Sequence, residues 1–255
     1  MTIRVLILGG SSEASALVRL VAERGDIEAT LSLAGRTAHP LAAPIPTRSG
    51  GFGGLEGLVN YLRHHRIEAV IDATHPFALQ MSRHAEEACA RLALPLVALT
   101  RAAWKPVAGD RWLEVGHAAD AVAILGEVPS RVFLTVGRLS LPAFAAAPFH
   151  HYLIRAIDPP DGLEALPNHE LILARPPFSI EGEERLMRDK AIEFLVSKNS
   201  GGEATYAKIA AARRLGLPVV MIRRPKQAGT TTLDDPAQAL AWIERHGRAP
   251  SPRGV

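Results

Sequence analysis

Ile67-Glu68-Ala69-Val70-Ile71-Asp72-Ala73-Thr74-His75 and Ile192-Glu193-Phe194-Leu195-Val196-Ser197-Lys198-Asn199-Ser200 repeat one pattern, an apolar strand running into a polar loop. Downstream, Arg91-Leu92-Ala93-Leu94-Pro95-Leu96-Val97 matches Arg214-Leu215-Gly216-Leu217-Pro218-Val219-Val220. Each copy reads strand, polar loop, helix, Leu-x-Leu-Pro turn, strand. That is a β-α-β crossover, used once in each half of the chain. In open parallel sheets, ligands bind at the carboxyl ends of the strands. The loops Thr74-His75 and Lys198-Asn199-Ser200 are therefore expected to face a ligand.

Outward from these repeats, strands and helices keep alternating. Residues 3–8 read as a strand buried on both faces, followed by Gly9-Gly10-Ser11-Ser12-Glu13 and a helix over 13–24. The pattern predicts further strands at 28–34, 96–100, 131–136, 151–155, 170–174 and 218–223. It predicts helices at 54–65, 118–126, 179–189, 202–215 and 236–246. The fold class is α/β: two Rossmann-like lobes, each a parallel sheet flanked by helices, with a ligand cleft between them. Residues 1–102 form the N-terminal domain, 103–117 the connection, 118–246 the C-terminal domain and 247–255 a frayed tail.

The chain has 255 residues, 47% of them hydrophobic, enough for a real core. No apolar run approaches the ~20 residues that span a bilayer. The N-terminus reads as a first strand rather than an export signal, which points to a cytoplasmic protein. A formal charge of +3 without a Lys/Arg block disfavours nucleic acid and suits a small polyanionic ligand. The single cysteine, Cys89, reads as a core residue. No His/Cys/Asp/Glu spacing suggests a metal site, and no nucleophile elbow is present. A monomer is expected.

Strand, Gly9-Gly10-Ser11-Ser12 and helix outline an anion site, with glycines admitting a phosphate to a helix N-terminus. The fingerprint G-x-G-x-x-G is absent. After the second strand, Ala34-Gly35-Arg36-Thr37 carries no acid for a ribose hydroxyl. Arg36 instead suits the 2′-phosphate of NADP. Gly50-Gly51-Phe52-Gly53-Gly54 suggests close backbone approach to a flat ligand beside Phe52. His75 can donate a proton or a hydrogen bond, with Thr74 capping the next helix. Lys198, Asn199, Ser200 and the glycines after them form a second anion outline. A two-lobed nucleotide-sugar transferase and a non-catalytic NADP-binding protein remain alternatives.

Six segments in order carry a family resemblance: Leu6-Ile7-Leu8-Gly9-Gly10-Ser11-Ser12-Glu13, Ala34-Gly35-Arg36-Thr37, Gly50-Gly51-Phe52-Gly53-Gly54, Asp72-Ala73-Thr74-His75-Pro76-Phe77-Ala78, Arg175-Pro176-Pro177-Phe178 and Val196-Ser197-Lys198-Asn199-Ser200-Gly201-Gly202. With them the chain resembles the precorrin-6A reductases of cobalamin biosynthesis. The resemblance implies hydride transfer from NADPH to precorrin-6A, or its cobalt-bearing form, giving precorrin-6B. It implies cofactor contacts from Gly9, Gly10, Ser11, Ser12, Arg36, Gly51, Phe52, Gly53, Thr74, Lys198, Asn199 and Ser200. It implies pairing of Arg48, Arg138, Arg155, Arg175 and Lys198 with the acetate and propionate groups of the tetrapyrrole, with Thr205 beside them. His75, a substrate carboxylate or water would supply the proton.

Overall fold

The computed structural model describes residues 2–35, 42–225 and 229–246. In chain order the first elements are β1 (Ile3–Leu8), α1 (Ser12–Ala22), β2 (Ile27–Leu33), β3 (Thr47–Ser49), α2 (Gly54–His64), β4 (Ala69–Asp72), α3 (Leu79–Leu92) and β5 (Leu96–Leu99). Then come β6 (Arg111–Val115), α4 (Ala118–Leu125), β7 (Arg131–Thr135), a 3-10 segment (Arg138–Ala146), β8 (His151–Ala156) and β9 (His169–Leu173). The chain continues through α5 (Ile180–Asp189), β10 (Phe194–Lys198), α6 (Ala207–Arg214), β11 (Pro218–Ile222), β12 (Thr232–Leu233) and α7 (Pro236–His246).

Two compact units result, one of Met1–Ala102 with Lys226–Val255, the other of Ala103–Pro225. The sheet of the first runs β3-β2-β1-β4-β5-β12 and that of the second β9-β8-β7-β10-β11-β6. The pairings are parallel in both. In the first, successive strands build outward from the middle in two directions; the second does the same from β7, with β6, earlier in the chain, added at the edge beyond β11. The direction reverses between β1 and β4 in one sheet and between β7 and β10 in the other.

Strand β1 shows why the first unit has three layers. Val5 and Ile7 point to the face covered by α1 and α7, where Leu17, Val21 and Ile243 pack. Leu6 and Leu8 point to the face covered by α2 and α3, where Leu58, Leu62 and Ala85 pack. Side chains alternate along a strand, so a run apolar at every position requires cover on both sides. Each such Leu, Ile or Val contributes about 1.5–3 kcal/mol on burial. Cys89 lies in this core, and its burial and the nearby Asp72 charge push its thiol up to about 12.

The structure differs from the sequence reading in several elements. Residues 111–115, read as connection, form β6, an edge strand bonded to β11 alone. Helix 236–246, assigned to the C-terminal domain, belongs to the first unit, because Ala239, Trp242 and Ile243 bury against the α1 face. Helical periodicity identifies an apolar stripe but not the sheet it covers. The helix expected from 202 begins at Ala207. Among the described residues no helix is long and apolar enough to cross a membrane.

Candidate functional site

At the reversal point of the first sheet, β1 runs into Gly9-Gly10-Ser11. Gly9 donates its N–H to the Ser32 carbonyl at 2.8 Å. Gly10 is exposed and has φ +131, a conformation closed to side-chain-bearing residues. Ser11 caps α1: its hydroxyl accepts from the Ala14 N–H at 3.1 Å and donates to the Ala73 carbonyl at 2.8 Å. This second bond ties the β1 turn to the end of β4. Ser12 and Glu13 form the first turn of α1. The Ser12 hydroxyl donates to Glu13 at 3.0 Å and accepts from Arg101 at 3.0 Å. Arg101 also donates to Glu13 at 2.8 Å. Burial alone would raise the Glu13 pKa. The Glu13 backbone N–H, the Arg101 charge and the bonds from Ser12 and Arg101 outweigh it and hold the carboxyl below the usual range.

At the end of β4, Thr74 is not a helix cap, since α3 begins only at Leu79 with Ala78 before it. Its N–H and hydroxyl instead both donate to the buried Asp72 carboxylate, at 3.1 and 2.7 Å. Half-buried His75 follows. Its Nδ1 accepts from the Phe77 N–H at 3.3 Å, so in the neutral ring the proton resides on Nε2. A Cβ placed on Gly10 would lie 3.9 Å from the His75 backbone nitrogen. Gly10 and His75 are thus neighbours across the β1–β4 boundary.

Arg48, which the resemblance assigns to a substrate carboxylate, is bonded within its own unit. One guanidinium nitrogen donates to the Ser32 hydroxyl at 2.6 Å and another to the Gly51 carbonyl at 3.0 Å. The group lies 4.0 Å from the Phe52 ring centre and holds that half-buried ring against Tyr61. Gly53 takes φ +83 at the N-cap of α2. Gly57, which the sequence reading passed over, accommodates the Phe52 carbonyl: a Cβ there would lie 1.6 Å from that oxygen. Arg36 lies outside the described residues.

In the second unit the loop after β10 stands at its own reversal point. Half-buried Lys198 ends the strand. The Asn199 side chain is committed to the chain itself, accepting from the Trp104 N–H at 2.8 Å and donating to the Trp104 carbonyl at 3.0 Å. Trp104 in turn donates its indole N–H to the Gly202 carbonyl at 2.8 Å. The Ser200 carbonyl accepts from Arg224 at 2.9 Å, and the Thr205 carbonyl accepts from the buried Lys208 ammonium at 3.1 Å. Trp104, Lys208 and Arg224 went unremarked as site neighbours; an isolated Trp in an aperiodic stretch was the available signal.

Arg155 is also corrected. Its guanidinium pairs bidentately with Glu183, one bond being 2.9 Å, with the side chains 7% and 4% exposed. It lies 3.8 Å from the Phe178 ring centre. Two of its five N–H groups bind Glu183, whose carboxylate balances the charge inside the unit. Arg138, first residue of the 3-10 segment, is exposed, and Arg175 is exposed with Asp158 at 3.8 Å. Among the described residues no group of His, Cys, Asp and Glu could hold a metal ion.

Over residues 4–244 the chain matches the family model described as Precorrin-6x reductase CbiJ/CobK. It is 48% identical over 252 residues to the precorrin-6A reductase of Rhodobacter capsulatus, with 99% of each chain covered. To that of Rhodococcus erythropolis it is 48% identical over 242 residues, covering 94% of this chain and 97% of the relative. The solved structure CobK precorrin-6A reductase is similar with a TM-score of 0.90 at 48% identity, all of both chains being covered.

Proposed function

This chain belongs to the precorrin-6x reductase family, and from that premise we propose that it reduces precorrin-6A to precorrin-6B in cobalamin biosynthesis, with NADPH held at the strand ends of the first unit. The observation that carries the cofactor assignment is a difference between the central strands of the two sheets. In the first, β1 leads through an exposed positive-φ glycine into α1, a helix of 11 residues. In the second, β7 leads into a 3-10 segment with Pro142 inside it. A diphosphate needs the aligned N–H groups of a helix N-terminus and a backbone it can approach closely. Of these two, the β1 crossover offers both.

The bound reduced nicotinamide supplies the hydride. The remaining work falls to the chain, chiefly positioning. Gly10 and the first turn of α1 receive the diphosphate, with Arg101 beside them. Arg36, beyond β2, takes the 2′-phosphate. Phe52, pinned by Arg48, borders the nicotinamide. His75, whose neutral ring carries its proton on Nε2, would hold that proton at the reversal point for the carbon framework. Lys198, Arg138 and Arg175 remain to pair with substrate carboxylates. A cytoplasmic monomer is part of the same reading.

Anaerobic absorbance assays with precorrin-6A and each nicotinamide nucleotide test this. The expected result is turnover with NADPH, and NADPH affinity about tenfold or more above that for NADH, since a charge-assisted bond contributes about 1.5–3 kcal/mol. Arg36→Ala should erase the difference. Equal affinities in the parent protein would remove the 2′-phosphate assignment, and no turnover would remove the activity.

A further inference from the structure

Asp72 is a buried carboxylate to which the chemistry of the first unit gives no task. It is the last residue of β4 and is paired on both sides, with Leu8 of β1 and Ala98 of β5. Val70, two residues earlier, packs with α2 and α3. By strand alternation the Asp72 side chain faces the same layer, and it is 5% exposed. A carboxylate at that depth is costly unless donors meet it. Its Oδ1 accepts both the N–H and the hydroxyl of Thr74, at 3.1 and 2.7 Å. The Thr74 hydroxyl stands 3.5 Å from that of buried Ser82 in α3.

The consequence falls on the residue after Thr74. Ala73 donates its N–H to the Leu8 carbonyl at 2.9 Å, and its own carbonyl accepts from Ser11. The His75 carbonyl accepts from the Ala78 N–H at 2.7 Å, and its Nδ1 accepts from the Phe77 N–H. Between these two anchored residues stands Thr74, and the acceptor that holds it is a side chain. We propose that Asp72 is a positioning residue for His75: by taking both Thr74 donors on one oxygen, it sets the backbone from which the ring presents Nε2. Reacting groups tolerate little displacement, and about 1 Å can cost on the order of a hundredfold in rate. The proposal rests on the reading of His75 as the holder of the transferred proton and adds what aims it.

Anaerobic turnover of precorrin-6A with NADPH tests the role. Asp72→Ala removes the acceptor of both bonds and should lower kcat about tenfold or more, with KM and NADPH affinity kept. Asp72→Asn retains an oxygen for both donors and should recover most of that loss. His75→Asn should lower kcat by itself, and Asp72→Ala added to it should cost little more, because residues that act as a unit are not additive. A carboxylate serving stability alone would give equal losses with and without His75. If Asp72→Ala does not fold, Thr74→Val removes one of the two bonds at nearly constant shape; it should lower kcat in the parent and not in the His75→Asn background. A parent-like kcat in Asp72→Ala, a loss of equal size without His75, or no recovery in Asp72→Asn overturns the positioning role and leaves His75 standing. A parent-like kcat in His75→Asn overturns the proton-holder reading and the positioning role with it.

Discussion

Arg101, at the end of the first stretch of the N-terminal unit, donates to Glu13 in the opening turn of α1 at 2.8 Å, with the two side chains 16% and 15% exposed. The carboxylate therefore lies against the helix end proposed to receive a diphosphate, and the guanidinium balances it. Helix N-termini favour anions, so Glu13 competes with the cofactor and Arg101 assists it. Glu13→Gln should tighten NADPH binding several-fold. Arg101→Ala, which leaves the carboxylate uncompensated, should weaken it about tenfold or more. Fluorescence titration of both variants measures this; the same direction of change in both would refute the balance.

Asn199 is expected to act on stability rather than on the cofactor. Its amide makes two bonds to Trp104, 95 residues away. Asn199→Ala should cost about 1–3 kcal/mol, the penalty for leaving partly buried backbone groups unpaired. Asn199→Asp should cost more, since a carboxylate would face the Trp104 carbonyl. Chemical denaturation gives both values.

The Arg155–Glu183 pair makes a sharper test of a corrected residue. Arg155→Met strands a carboxylate that is 4% exposed and should cost about 3–5 kcal/mol. Adding Glu183→Leu should recover much of that loss, because two apolar side chains do not need each other's charge. A substrate-binding arginine would show the opposite pattern, with unfolding unaffected and KM raised.

His150 sets an acid limit on stability. Its ring is 0% exposed and accepts the Ser130 N–H at Nδ1. Burial pushes its pKa below the ordinary 6.5, against opposing contributions from the Gly126 backbone and Glu193. Unfolded chains therefore take up the proton first. The stabilisation is complete above pH 6.5 and is lost as the pH falls through that value towards the folded pKa. Melting temperature should drop between pH 7.5 and 5.5, and His150→Asn should flatten that part of the curve.

Much of the architecture was legible because buried strands such as Ile3–Leu8 and Pro218–Ile222 are apolar at nearly every position. Edge strands lack that signature. Arg111-Trp112-Leu113-Glu114-Val115 pairs on one side only, and its exposed residues break any pattern. Thr232–Leu233 is too short to show one. The places of Gly10 and His75 just after strands of the first unit, and of Lys198 at a strand end of the second, could be read in advance. The commitments of Asn199, Arg48 and Arg155 could not, because each depends on a partner brought close only by folding: Trp104, Ser32 and Glu183.

The sixth place in the first sheet is taken by β12, and α7 follows it onto the α1 face. Both are made only after all of Ala103–Pro225 has been synthesised. On the ribosome the N-terminal half must wait, its α1 side bare and sticky, while the C-terminal half has every strand it needs. Maturation is thus staggered, and a stretch made after the second unit seals the one made before it. A chain cut after Pro225 would retain a finished second half and an unsealed first, prone to clump.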